Sequence, residues 1–207
     1  MDIKTFVSKS MDENCYAVNI DGEICIIDPG EFSAELEVYV NNNIDKIKYI
    51  LLTHCHFDHI MGVTQIKNLS PNIKVVIHTL ETRGLLNPDI NLGTFAGADN
   101  LSLSADETVT EGDIIKLGSK EITVMHTPGH TVGSVCYMVD NILFSGDTLF
   151  NKSYGRTDFP GGNVKDMVSS LKRLSNLDDN TTVYSGHGLA TTIGYEKEHN
   201  AAMANLG

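Results

Sequence analysis

Three of the chain's eight histidines share six residues with an aspartate in THCHFDH: His54, His56, Asp58 and His59. In an extended stretch, side chains two apart point the same way, so His54, His56 and Asp58 can converge on one side of a loop. His59 follows at a helix start and must aim elsewhere nearby. Imidazole and carboxylate are the usual ligands of zinc and related metals. Four of them in one short loop are too many for a single ion, and two neighbouring ions are the simpler reading. The alternative is a polar loop whose histidines are satisfied by hydrogen bonds. H-x-H-x-D-H arises by chance on the order of once per thousand chains of this make-up, so the pattern is fairly specific. His130 in HTPGHTVGS, Asp147 in LFSGDTLF and His187 in YSGHG also follow apolar, strand-like runs, with glycine close by. Glycine there lets backbone and metal approach closely. Singly, each would more often be structural; together they raise the candidate ligands to seven.

The elements around these residues must place them at strand ends. IKTFVS and CYAVNI read as strands, and Asp21-Gly22 turns the second into EICIID as a hairpin. Ser33 caps an amphipathic helix running to about Asn42. KYILLT reads as a buried strand, Asp58 to Leu69 as a helix, and KVVIH as a strand. Residues 87–105 lack periodicity and read as a loop-rich insert of the kind that often borders a site. DIIKLG, EITVMHT, SVCYMV and ILFSGD are further strands, with a turn at Asp140-Asn141. Asn163 caps a helix whose Val164, Met167, Val168, Leu171 and Leu174 recur at helical spacing. TTVYSGHG carries a last strand, and residues 195–206 a terminal helix. Strands followed by helices in both halves imply helices covering β layers.

Length and composition fit one soluble domain spanning 1–207, with 41% apolar and 20% charged residues. No apolar run approaches the roughly 20 residues that span a bilayer. The first residues lack the basic and apolar segments of a signal peptide, so a cytoplasmic protein is expected. A net charge of −12 argues against nucleic acid and anionic membranes as partners. Cys15, Cys25, Cys55 and Cys136 form no C-x-x-C pair, and disulfides are not expected in that compartment. By alternation Cys55 points away from its histidine neighbours and is expected to pack, the alternative being a role at the site. His78, His126 and His199 match no ligand position and read as structural or surface residues.

H-x-H-x-D-H followed by P-G-H-T, S-G-D-T and G-H-G resembles the metallo-β-lactamase-fold hydrolases, from IIDPG to GHGLATTIGYEKEHN. The resemblance implies an α/β fold, a four-layer αββα sandwich with metals at one edge of the two sheets. It implies that His54, His56 and His130 hold one ion, that Asp58, His59 and His187 hold a second, and that Asp147 bridges them. Asp28, in IIDPG, would orient a ligand histidine. Two divalent ions, zinc first with iron or manganese compatible, would lower the pKa of a shared water and polarise a carbonyl, giving hydroxide attack on an acyl or phosphoryl bond. Asp58 and Asp147 are then the acidic groups at the reacting centre.

Within that family the chain is most similar to short glyoxalase II (hydroxyacylglutathione hydrolase)-like proteins, which act on thioesters such as S-D-lactoylglutathione. GHGLATTIGYEKEHN carries that likeness. THCHFDH and GRTDFPGG are shared with the persulfide dioxygenases, which use one iron, and that alternative stays open beside a lactone or other ester hydrolase. Asp147, where two-zinc β-lactamases typically have a cysteine nearby, argues against a true β-lactamase. A metal-binding sensor of this fold would be expected to have lost ligands, and none is lost. Only 20 residues follow His187, so the helical C-terminal domain with which full-length glyoxalase II grips glutathione is not expected. NKSYGRTDFPGG then becomes the substrate lip, with Tyr154 and Arg156 as candidate contacts, or with Arg156 held instead by Asp158. The expected partner is a small-molecule thioester; the oligomeric state is not legible.

Overall fold

The computed structural model describes residues 1–204. The chain divides into two compact units, one of residues 1–109 and 116–121, the other of residues 110–115 and those from 122 onward.

The first unit carries a six-stranded sheet whose strands follow chain order: β1 (Asp2–Val7), β2 (Asn14–Ile20), β3 (Glu23–Ile27), β4 (Ile47–Leu51), β5 (Lys74–His78) and β6 (Glu107–Val109). The first three form an antiparallel meander, with Tyr16 opposite Ile27 and Val18 opposite Cys25. Its hairpin turn has positive φ at both Asp21 and Gly22, the primed turn that matches strand twist. From β3 to β6 neighbouring strands are parallel, so crossovers must carry the chain back. The first is α1 (Ala34–Asn43), whose amides are capped by the Ser33 hydroxyl, accepting from Leu36 N at 3.3 Å. Leu36 and Val40 of α1 bury against Ile24, Ile26, Ile50 and Val75 of the sheet.

The helix expected from Asp58 to Leu69 is two pieces, α2 (Phe57–Ile60) and α3 (Val63–Leu69). Gly62 is the reason. Its N–H donates to the Pro29 carbonyl at 2.8 Å instead of back along the helix, and a Cβ there would stand 2.6 Å from that oxygen. A short α4 (Thr82–Leu85) follows β5, and residues 87–105 form turns without strand or helix.

The second sheet has the order β12-β11-β10-β9-β8-β7. Its strands are β7 (Ile114–Leu117), β8 (Lys120–His126), β9 (Val135–Val139), β10 (Ile142–Gly146), β11 (Thr182–Ser185) and β12 (Thr191–Thr192). β8, β9 and β10 are antiparallel neighbours, with Asp140 at positive φ in the last turn. β10 and β11 are parallel, joined through α5 (Val164–Leu174). Asn163 Oδ1 caps α5, accepting from Lys165 N and Asp166 N at 2.9 and 3.3 Å. Met167, Leu171 and Leu174 bury against Cys136, Leu143 and Val183. The terminal helix is shorter than expected: α6 spans Ile193–His199, turns follow to residue 204, and residues 205 and 206 lie outside the described residues. β6 and β12 were not expected, being three and two residues long, too short to show a period. Among the described residues, no helix is long and apolar enough to cross a membrane.

Candidate metal centre

In the first unit the candidate ligands follow directly from β4. Between β4 and α2 the chain bends at Thr53 and His54, and His56, with extended backbone (φ −63°, ψ 147°), is the last residue before α2. His54 and His56 meet, with His54 Nε2 and His56 Nδ1 3.1 Å apart. Cys55 faces the other way. Its Sγ packs where a Cβ on Gly84 would collide with it, and its N–H donates to Glu81 Oε2 at 2.9 Å. Burial, with Glu81 beside it, pushes the Cys55 thiol well above its ordinary range. Asp58 and His59 open α2, and His59 Nε2 lies 3.9 Å from Asp58 Oδ2. The first amide of α2 is held by the insert, Phe57 N donating to the Asn91 carbonyl at 2.8 Å.

Asp28 organises this loop from the end of β3. It is buried and has positive φ, a conformation that aspartate tolerates better than most residues. Oδ1 accepts from Thr53 N at 2.7 Å and Oδ2 from Thr53 Oγ1 at 2.6 Å. The same Oδ2 lies 3.1 Å from His59 Nδ1, and Thr53 Oγ1 lies 3.1 Å from His54 Nδ1. Because Thr53 gives its hydroxyl proton to Asp28, it accepts from His54. Both rings then carry the proton on Nδ1 and leave the Nε2 lone pair for another partner, the arrangement of metal-ligating histidines. His54 Nε2, left with its lone pair, faces His56 Nδ1 at 3.1 Å, a spacing that a proton on His56 or a shared cation can bridge.

In the second unit the candidates come from three separate strand ends. His130 follows β8 in a turn where Gly129 has φ 141° and passes so close to Met167 that a Cβ would collide with its backbone. Asp147 follows β10, and His187 follows β11; Gly186 N donates to the Gly146 carbonyl at 2.8 Å and ties these two loops together. Asp147 Oδ2 lies 3.4 Å from His130 Nε2 and 3.8 Å from His187 Nε2. His130 Nδ1 donates to the Arg156 carbonyl at 2.7 Å, again leaving Nε2 as the lone-pair nitrogen. Gly155 makes that possible: a Cβ there would collide with the Asp147 carbonyl and stand 3.0 Å from His130 Nδ1.

The donor set fits divalent metal. Two donors about 2.1 Å from one ion stand about 3.0 Å apart at a right angle and about 3.4 Å apart at the tetrahedral angle. The 3.1 and 3.4 Å separations fall in that range. The 3.8 and 3.9 Å separations each involve a carboxylate oxygen, whose terminal torsion turns easily.

Of the two lip residues, Tyr154 is partly exposed. Arg156 turns its guanidinium onto Asp158 in two bonds of 2.7 Å and stacks it 3.8 Å over the Phe159 ring. That pairing holds the Asp158 carboxyl down at about 2. Arg156 thus meets His130 through its main-chain carbonyl. A main-chain acceptor has no residue-type signal, so the sequence could not point to it. Thr53 and Glu81 were also unmarked, although Thr53 directly precedes His54.

The family model of the metallo-beta-lactamase superfamily matches residues 11–187. The chain is 30% identical over 206 residues to the hydroxyacylglutathione hydrolase GloC of Haemophilus influenzae, covering 97% of each chain. Among solved structures it is similar to the BLEG-1 B3 metallo-beta-lactamase, at 34% identity and a TM-score of 0.91 over 99% of this chain and 100% of that one. It is also similar to TTHA1623, solved in a di-iron-bound form, at 32% identity and a TM-score of 0.85 over 96% and 98% of the two chains.

Proposed function

The chain belongs to the metallo-beta-lactamase superfamily and is a hydrolase of that fold, and we propose that it works with two divalent metal ions on thioesters such as S-D-lactoylglutathione. His54, His56 and His130 would hold one ion and Asp58, His59 and His187 the other, with Asp147 placed to serve both. The observation that carries this reading is Asp147 Oδ2, flanked by His130 Nε2 at 3.4 Å and His187 Nε2 at 3.8 Å, two imidazoles assigned to different ions. When bound, the pair supplies an activated water and polarises the carbonyl under attack.

The chain's own groups prepare this chemistry. Asp28 holds Thr53 and His59, and through Thr53 it fixes the His54 ring. The Arg156 carbonyl fixes the His130 ring. Each histidine so held presents Nε2 without a torsional search, which lowers the entropic cost of assembling the site. Tyr154 lies on the loop that follows Asp147 and is the side chain proposed to meet the substrate; Arg156, engaged by Asp158, is not free to do so without breaking that pair. The kinship with GloC supports thioesters as substrate class, and the similarity to TTHA1623 supports iron as well as zinc as the metal.

A second reading, β-lactam hydrolysis, is favoured by the similarity to BLEG-1 along the full chain. The test is a side-by-side assay of protein loaded with zinc, manganese or iron against S-D-lactoylglutathione, a simpler thioester and a β-lactam. Thioester turnover exceeding β-lactam turnover supports the proposal. The reverse order selects the second reading. Oxygen uptake on glutathione persulfide by iron-loaded protein, without hydrolysis, would replace both with a dioxygenase.

A further inference from the structure

The segment TTIGYEKEHN contains a buried acid that the ligand assignment leaves unused. Glu196 lies on α6 with no exposed surface. Its carboxylate accepts three hydrogen bonds: Thr191 Oγ1 at 2.6 Å on Oε1, and Lys152 N at 2.8 Å and Asn200 Nδ2 at 2.9 Å on Oε2. Asn200, also buried, donates from the same Nδ2 to the Ser153 carbonyl at 3.0 Å. An acid and an amide one helical turn apart thus grip two successive backbone groups of one loop. A buried carboxylate costs desolvation that a packed leucine would avoid, and its three donors offset that cost. Helix stability alone does not explain an acid here.

The gripped loop is an unusual one. Phe150 and Ser153 exchange backbone hydrogen bonds of 3.0 and 3.2 Å around a tight turn, and Lys152 inside it has φ 62°, a conformation unfavourable for a long side chain. The next residues are Tyr154, Gly155 against the Asp147 carbonyl, and Arg156, whose carbonyl receives the His130 proton. A shift of the turn therefore moves the acceptor that sets the His130 ring.

We infer that Glu196 and Asn200 are positioning residues: from α6 and the residue that ends it they fix the 150–153 turn, and through it the Arg156 carbonyl that orients His130. The inference rests on His130 being a ligand of the proposed centre. The partner of a ligand histidine typically tunes metal affinity by about 10- to 100-fold, and these two residues act one step further out.

The test compares wild type with Glu196→Gln, Asn200→Ala, His130→Ala and a control, Lys197→Ala, which breaks the 2.6 Å contact between α6 and Asp179 without touching the turn. Two readouts are taken: exchange of the His130 Nδ1 proton by NMR in metal-free protein, and zinc affinity by competition with a chelator. Both E196Q and N200A are expected to speed His130 exchange and weaken zinc by about tenfold each, while K197A moves only the melting temperature. If E196Q fails to fold, N200A decides alone. Lower melting temperatures with wild-type exchange and wild-type zinc affinity would reduce the pair to ordinary structural residues and overturn the inference. Unchanged zinc stoichiometry in H130A would instead overturn the ligand assignment, and the exchange rates would still decide whether the pair positions the ring.

Discussion

The two units present their candidate ligands in opposite ways. The first delivers four from six consecutive residues at the end of one strand, held by one buried aspartate and one threonine. The second delivers three from three strand ends, held by backbone: a carbonyl on His130, a glycine under Asp147, and a hydrogen bond between the Asp147 and His187 loops. A local cluster can be oriented by side chains that evolve with it. A dispersed set depends on the sheet register and on glycines that let loops touch. Failure should therefore be stepwise in the first unit and collective in the second.

The largest effect is expected from Asp147→Ala. A carboxylate shared by two ions cannot be lost from one alone, so metal content should fall below one ion per chain. Activity should fall further than the roughly 100-fold typical of losing an outer partner. Retention of two ions would show that Asp147 is not a bridge. Asp58→Ala should be milder, removing one ion and sparing the one held by His54, His56 and His130; equal loss of both in metal analysis would break the split into two sites. Asp28→Asn keeps the shape and changes one acceptor into a donor, which cannot serve both Thr53 and His59. Metal affinity is expected to drop about 10- to 100-fold, with His59 the ring whose NMR signal shifts. An unchanged affinity would mean that the loop orients itself without Asp28.

These differences also explain what could be read in advance. The first cluster was legible because its spacing is local: four ligand-type residues within six positions lie near one another whatever the fold, although the chain bends at Thr53 and His54 and turns helical at Phe57 instead of alternating as a strand. Ser33 and Asn163 were legible as caps for the same reason. His130, Asp147 and His187 were legible only as ligand types after strand-like runs beside glycine, and their grouping into two sites came from the family resemblance, since nothing local relates positions 17 and 40 residues apart. The break at Gly62 was missed because its cause, the Pro29 carbonyl, lies 33 residues back in the chain. The engagement of Arg156 with Asp158 was one of two readings, and the i, i+2 spacing alone could not choose between them.

The smallest effect concerns the thiols. All four cysteines are free and buried. Burial raises the Cys25 thiol to about 12 and the Cys136 thiol to about 11, and lifts Cys15 and Cys55 as well. Native protein at pH 8 should resist a thiol reagent that labels all four after denaturation. Unfolded thiols ionise from about pH 9 while the folded ones stay neutral, so stability should decline as pH rises through that value. Rapid labelling of Cys55 in native protein would show that the histidine loop opens, against the tight packing of Sγ on Gly84.

In the proposed centre the local cluster and the dispersed set together hold two ions. That count is tested most directly by native mass spectrometry with elemental analysis of the full chain, stripped and then reloaded with zinc or manganese. Two ions per chain are expected, falling to one in Asp58→Ala. A wild-type chain that saturates at one ion under both metals would contradict that count.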